Sequence, residues 1–290
     1  MGHHGRVSHL QTISFRQAAF ALVALTLLIH GQAIGHEFTW NDGTNILANE
    51  ALTEVGNIPS FFVEAWGAAA EDATYRDRNS QYWRPVPMAL WTLEAAAFGL
   101  TPAPFHALNV LLHALTALLL LAFAWRLLPA PGPGRVGVLL GVTAWAVHPV
   151  HTEVGHVVSY GSDLLAGLFT MACLAVWMGA EGRSASRARL DRVFVVPVLF
   201  ALGVGSKEMA VTVPVLLAVV DLCVLPRTVS VGARVARLIP VGLVLVGYFG
   251  VRVTLLGGGG QDFYAGAAPE VVLFSMLDVL ALYGRLILAP

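Results

Sequence analysis

Residues 105–125 read Phe105-His-Ala-Leu-Asn-Val-Leu-Leu-His-Ala-Leu-Thr-Ala-Leu-Leu-Leu-Leu-Ala-Phe-Ala-Trp125, a run without a lysine, arginine or carboxylate. At about 1.5 Å per residue such a helix rises roughly 30 Å, the thickness of a bilayer's hydrocarbon core. Further apolar runs lie at 17–35, 85–99, 136–147, 163–180, 193–205, 209–225, 238–256 and 271–289, divided by proline, glycine or clustered charge. Composition agrees: 57% of the 290 residues are hydrophobic and 12% charged, with a mean hydropathy of +0.71. A soluble domain needs more polar surface than that. The chain reads as an all-α, polytopic membrane protein forming one domain over 1–290. Its first run, Ala18 to Ile34, follows Arg6 and Arg16 without a convincing small-x-small cleavage site, so it reads as an uncleaved anchor. Cys173 and Cys223 sit in apolar stretches and offer neither a disulfide framework nor a zinc spacing. No solenoid repeat and no nucleic-acid signature is present, and Gly257 to Gly260 read as a turn between spans.

Charge orients the spans. Arg6 and Arg16, Arg126 and Arg135, the cluster Arg183, Arg187, Arg189 and Arg192, and the cluster Arg227, Arg234 and Arg237 all belong on the cytoplasmic side by the positive-inside rule. A strict alternation of nine crossings cannot place them there. It works if 85–99, too short at about 22 Å and carrying Glu94 and two prolines, is interfacial or re-entrant. About eight spanning helices then remain, with 36–104, 148–162, Ser206 to Glu208 and 257–270 on the outer face. Runs 136–147 and 193–205 are also short and lead into His148 and Lys207. That suggests a cleft open to the outer side, unless the helices extend beyond these bounds.

The ionisable chemistry collects on that outer face. The segment 36–82 carries Glu37, Asp42, Glu50, Glu54, Glu64, Glu71, Asp72 and Asp77 against Arg76 and Arg78, interleaved with Phe38, Trp40, Phe61, Phe62, Trp66, Tyr75, Tyr82 and Trp83. Such aromatic content favours an ordered loop with juxtamembrane helices, and Ile58 to Trp66 reads as one lying in the interface. Glu37 and Asp42 are the candidate catalytic carboxylates. Asp42 could serve as a general base, although spacing alone favours an Asx turn or a helix N-cap. His148, His151 and Glu153 offer three metal ligands, but Pro149 breaks the spacing that would aim them together, so orienting roles fit better. Asp163 opens the next span as an orienting acid or an N-cap. Lys207, the one lysine among 17 lysines and arginines, stands beside Glu208. With Arg84 and Arg252 it forms the cationic set a lipid phosphate would need; a buried ion pair is the structural alternative. His106, Asn109 and His113 share a helix face suited to interhelical hydrogen bonding or to substrate orientation.

Read in order, several of these stretches resemble one family. They are Trp40-Asn41-Asp42 with Asn49, Tyr82-Trp83-Arg84-Pro85, Phe98-Gly99-Leu100, Phe105-His106 with Asn109 to Ala114, His148 to Glu153, Ser162 to Ala166 and Ser206-Lys207-Glu208. Over most of 38–225 the chain resembles the membrane half of the GT-C glycosyltransferases, most closely the transmembrane and tetratricopeptide-repeat O-mannosyltransferases and their bacterial relatives. The resemblance implies an inverting sugar transfer, mannose above all, from a polyprenyl-phosphate-linked donor to the hydroxyl of an acceptor protein or glycan, on the periplasmic face of a bacterial inner membrane. It implies no firm cofactor, a divalent cation remaining an option. On this reading Asp42 is the base, and Lys207, Arg84 and Arg252 hold the leaving phosphate. His106, His148, His151, Glu153, Asp163 and Glu208 orient donor and acceptor. Two departures stand out: the family's usual pair of acids begins here with Asn41, so the activating carboxylate is either absent or supplied by Asp42. The chain also ends at Pro290 within an apparent span without tetratricopeptide repeats, which reads as a fragment or truncated homologue.

Two other classes compete. A transporter or flippase would also want an outward cleft with short helices, but predicts inverted repeats that the sequence does not show. A catalytically inactive relative serving as a binding or assembly subunit is left open by Asn41.

Overall fold

Ser14 starts the first helix. Its hydroxyl accepts from the Gln17 N–H while the Gln17 side chain accepts from the Ser14 N–H, so two otherwise orphaned donors are satisfied together. The helix, α1, runs Phe15–His30 and continues as a 3-10 turn, Gly31–Gly35. The computed structural model describes residues 13–66, 82–128, 133–224, 229–257 and 267–289, which contain helices and turns and no strand. Of the expectations above, those on Arg6, Glu71, Asp72, Tyr75, Arg76, Asp77, Arg78, Arg227, Gly258 to Gly260 and Pro290 lie outside these residues.

Each apolar run becomes a helix. α2 spans Pro85–Phe98 and α3 Pro102–Leu127, both with proline in the first turn, where its missing N–H costs nothing. Between them Gly99 takes φ +69, a left-handed value that stops α2 and lets α3 start at once. α4 spans Pro133–Ala146. Beyond it Pro149 permits only a 3-10 turn, Pro149–His151, and a short α5, Thr152–His156. α6 spans Gly161–Ala180. α7, Ala185–Leu190, leads without a break through a π turn, Asp191–Val195, into α8, Val196–Val204. α9 spans Val213–Cys223, α10 Val231–Leu256 and α11 Pro269–Leu288.

Among the described residues, five stretches are long and apolar enough to cross a membrane: 15–35, 102–127, 158–180, 231–256 and 269–288. The chain is an integral membrane protein. α2, with 14 residues, is among the shorter helices, as expected for 85–99. The short run at 193–205 is corrected: the helix begins eight residues earlier, at Ala185. The Arg192 and Asp191 charges that masked it are buried and paired inside the turn.

α3 and α6 pack at the centre, with α1 and α4 against α3 and with α8, α9 and α10 on the other side of α6. One core joins Trp177 and Leu174 of α6 to Phe200, Leu217, Val241 and Tyr248. A second joins Ala18 and Leu22 to Ala117, Leu121, Val138 and Val142. In lipid there is no hydrophobic gain from such contacts, so close packing of small and large side chains carries the association. α11 has no buried residue.

Within the outer segment, the described residues 36–66 are not helical in the expected way. Residues 43–62 form one π turn and three 3-10 turns. Ile46, Leu52, Phe61 and Trp66 pack into a cluster with Met88, Trp91, Phe105 and Val158. This corrects the interfacial helix at Ile58 to Trp66. Only Ser60–Phe62 turns, and Phe61 and Trp66 are drawn into protein rather than lipid. Both cysteines are free, Cys173 buried and Cys223 exposed.

Candidate active site

Asp42 is fully buried and anchors the outer segment. Trp40, at φ +52, reverses the chain so that the Thr39 N–H donates to Asp42 Oδ2 at 3.1 Å. The Val158 N–H donates to Oδ2 at 3.1 Å and the Ser159 N–H to Oδ1 at 2.7 Å. Asp42 precedes the Gly43–Leu47 turn but makes no cap bond to it. Its carboxylate caps the distant turn that leads into α6 instead, an arrangement neither the Asx turn nor the N-cap anticipated. Glu37, five residues earlier, has an exposed side chain. Its backbone carbonyl accepts from His106 Nε2 at 3.4 Å.

From Ser159 the polar face continues without a gap. The next residue, Tyr160, is hydrogen-bonded to the Glu153 carboxylate and lies in the field of Asp163. Asp163, in the first turn of α6, holds Lys207 Nζ at 2.6 Å from both carboxylate oxygens. Lys207 takes an extended backbone, φ −158 and ψ 146, which ends the α8 region and turns Glu208 the other way. Glu208 receives Arg84 from the N-terminus of α2 (Nη2 to Oε2 2.8 Å, Nε to Oε2 3.2 Å) and Arg252 from α10 (Nη1 to Oε1 3.3 Å). The Arg84 guanidinium also lies 4.6 Å from the Tyr82 ring centroid. Arg252 Nη1 stands 3.4 Å from the Tyr248 hydroxyl. Burial alone would raise the Glu208 carboxyl. The charge and hydrogen bonds of Arg84, joined by Arg252, outweigh it and hold the carboxyl below its ordinary range.

All three expected cations therefore meet, from three separate elements, against two carboxylates. Counting Glu153, which lies on the same face beside Tyr160, three carboxylates stand against the three cations on a partly exposed patch. Among the described residues Trp83 Nε1, Ser159 Oγ and His156 Nε2 are buried polar atoms without a hydrogen-bond partner. Charged groups already oriented, with unmatched polar atoms on the adjoining segments, suit a polar ligand.

The histidines do something else. His30 and His113 both donate from Nε2 to the Ala146 carbonyl, at 2.9 and 2.8 Å, satisfying the frayed end of α4. His151 stacks against His113 and Trp145, ring centroids 5.0 and 4.5 Å apart. Burial, then the neighbouring His113, His30 and His148, push its imidazole down to about 4, so it is neutral at pH 7. His148 Nδ1 accepts from the Val150 N–H, which leaves Nε2 to donate to the Ile287 carbonyl of α11 at 2.9 Å. With Glu153 turned toward Tyr160, the three candidate ligands do not converge. No group of three or more His, Cys, Asp or Glu side chains among the described residues is arranged for a metal ion. Sequence reasoning missed Tyr160, Tyr248, His36 and His156. The spacings Tyr160-x-x-Asp163 and Tyr248-x-x-x-Arg252, one helical turn each, were the available signal.

The chain is similar in sequence to known proteins. The chain is 31% identical over 131 residues, 45% of its length, to protein O-mannosyl-transferase Tmtc1 of Drosophila melanogaster. It is 30% identical over 206 residues, 70% of its length, to protein O-mannosyl-transferase TMTC2 of Homo sapiens, and 25% identical over 202 residues, 69% of its length, to TMTC3 of Mus musculus. The chain is a relative of the TMTC protein O-mannosyl-transferases. It covers 14%, 24% and 21% of those three proteins respectively, so it corresponds to less than a quarter of a TMTC protein. No family model and no solved structure matches it.

Proposed function

We propose that this TMTC relative is a membrane glycosyltransferase that moves a sugar, mannose, from a polyprenyl-phosphate donor to an acceptor hydroxyl of a protein on the outer face. The observation that carries the reading is the meeting of Lys207, Arg84 and Arg252 at one end of the bundle. The relatives, protein O-mannosyl-transferases, support the reaction class.

The reaction needs one proton removed and one anion received. The acceptor oxygen bonds to C1 of the sugar as the C1–O bond to phosphate breaks, with inversion. The bonding pair leaves on the phosphate oxygen, where charge develops. Lys207 and the two guanidinium groups receive that charge, each already oriented by a carboxylate and so needing little reorganisation. The base is a carboxylate of the 37–42 segment. Asp42 has three of about four acceptor sites filled by N–H groups and no exposure. Exposed Glu37 therefore takes the proton, and Asp42 holds the segment in place. His106, bonded to the Glu37 backbone, and Tyr160, Glu153 and Asp163 orient the reacting groups.

The test is release of polyprenyl phosphate from a radiolabelled polyprenyl-phosphate-mannose donor by the reconstituted protein. Lys207→Ala should lose on the order of 100-fold or more in turnover. Glu37→Gln should lose turnover with its folding unchanged, whereas Asp42→Asn should lower thermal stability as well. Full turnover in Lys207→Ala would overturn the phosphate site. Full turnover in Glu37→Gln with a stable but inactive Asp42→Asn would return the base to Asp42.

A further inference from the structure

A second charged site lies at the other end of α6, unused by the transfer reaction. Twenty residues separate the ends of that helix by about 30 Å. Beyond Ala180 a cavity of about 670 Å³ opens between the end of α6, α7 with its π turn, and the first turns of α10. Arg183, Arg189, Arg192 and Arg237 line it against a single carboxylate, Glu181, and alanines form most of the remaining wall. Small side chains leave the centre empty and the guanidinium groups around it.

The charges do not cancel. Arg183 pairs with Asp191 at 2.5 Å, Arg192 pairs with Glu181, and Arg237 is shared between Glu181 and Asp221, at 3.4 Å each. Asp221 also serves Arg234 at 3.2 Å. Three carboxylates thus face five arginines, and Arg189 has no ion-pair partner among the described residues. Arg192, only 8% exposed, lies over the Trp177 indole at 5.5 Å from its centroid. Arg192 Nε, on a residue that lines the cavity, is a buried donor without an acceptor among the described residues; Trp177 Nε1, behind it and outside the lining, is another. Such a donor costs about 1–3 kcal/mol unless something accepts from it. Excess positive charge, planar guanidinium forks and unmatched donors together call for an anion with several acceptor oxygens.

We propose that this cavity binds a phosphate group, supplied by the headgroup of an anionic phospholipid or by free phosphate. The exposed side chains of Leu190, Val193 and Phe194 run alongside it and would meet acyl chains, which favours the lipid source. The site is independent of the transferase reading.

Native mass spectrometry of the full chain released from nanodiscs of mixed phosphatidylglycerol and phosphatidylcholine reads it directly. The wild type should retain phosphatidylglycerol selectively. Arg189→Gln, which breaks no ion pair, should reduce that retention about threefold, and Arg189→Gln with Arg192→Lys about tenfold. Arg16→Gln, a charge of the same sign on α1 outside the cavity, should leave it unchanged. Displacement of the lipid by millimolar inorganic phosphate would support the site with a soluble source; retention of the lipid under phosphate would support the headgroup. Equal retention in wild type and both variants, equal loss in Arg16→Gln, or no preference for phosphatidylglycerol together with no phosphate binding would overturn the proposal.

Discussion

At Trp40 a bulky residue occupies a backbone region that normally belongs to glycine. Its φ of +52 places Cβ against the following carbonyl, at a cost of roughly 1–2 kcal/mol. The turn persists because Asp42 collects three N–H groups only in that geometry. Trp40→Gly should therefore be more stable than Trp40→Ala by about 1 kcal/mol, since both lose the ring and only glycine relieves the backbone. Thermal unfolding in detergent checks it, and equal stabilities would refute the strain. His151 makes a second residue-level expectation. Its folded value of about 4 lies below the ordinary 6.5, so the folded state binds fewer protons than the unfolded one between those values. Its neutral burial is without penalty above pH 6.5 and destabilises increasingly as pH falls toward 4. His151→Asn should flatten the fall of the melting temperature across that window. The depressed Glu208 carboxyl acts lower down, its stabilisation complete above the ordinary carboxylate value and lost as pH falls through the folded one.

At the scale of elements, the close approach of α2 to the end of α8 decides whether the cations meet. The Val86 N–H donates to the Gly205 carbonyl at 3.1 Å. A Cβ on Gly205 would stand 3.1 Å from the Ala201 carbonyl oxygen and 3.1 Å from a Val86 methyl. Gly205→Ala should push the start of α2 outward and separate Arg84 from Glu208, lowering donor turnover about tenfold with smaller loss of stability. A kinetic comparison with Arg84→Ala checks this, because the double variant should be no worse than Arg84→Ala alone. This contact also marks where sequence reasoning stops. Helices were legible wherever apolar length and proline acted locally, as at 85–99, observed as Pro85–Phe98, and 271–289, observed as Pro269–Leu288. The start of α7 was hidden because Asp191 and Arg192 read as loop until their buried partners are known. Lys207, Arg84 and Arg252 were legible as a rare charge set in an apolar chain. The two distant donors that hold Asp42 were not, being backbone groups 116 and 117 residues away that carry no side-chain signature.

Over the whole molecule, α6 and α10 each carry one charged cluster at either end. Asp163 lies near the start of α6 and Glu181 just past its end, while Arg234 and Arg237 lie near the start of α10 and Arg252 near its end. The two helices thus run in opposite order between the same two ends of the bundle, Arg237 reaching Glu181 just past α6 at one end and Arg252 reaching Glu208 of the turn before α9 at the other. The positive-inside rule predicts which way round these two ends lie in a membrane. Arginine-rich termini are retained on the cytoplasmic side, and the other face keeps charges only where carboxylates balance most of them. The assignment is testable without any assay of transfer. With Cys173 and Cys223 replaced by alanine, a cysteine at Glu153 should react with a membrane-impermeant maleimide added to intact cells. A cysteine at Arg187 should react only after permeabilisation. Labelling of both from the same side would dissolve the two-faced arrangement, and with it the separation of the Lys207 cluster from the arginine cavity. Labelling in the reverse order would keep the separation and put the Lys207 cluster in the cytoplasm, where an outer-face acceptor could not reach it.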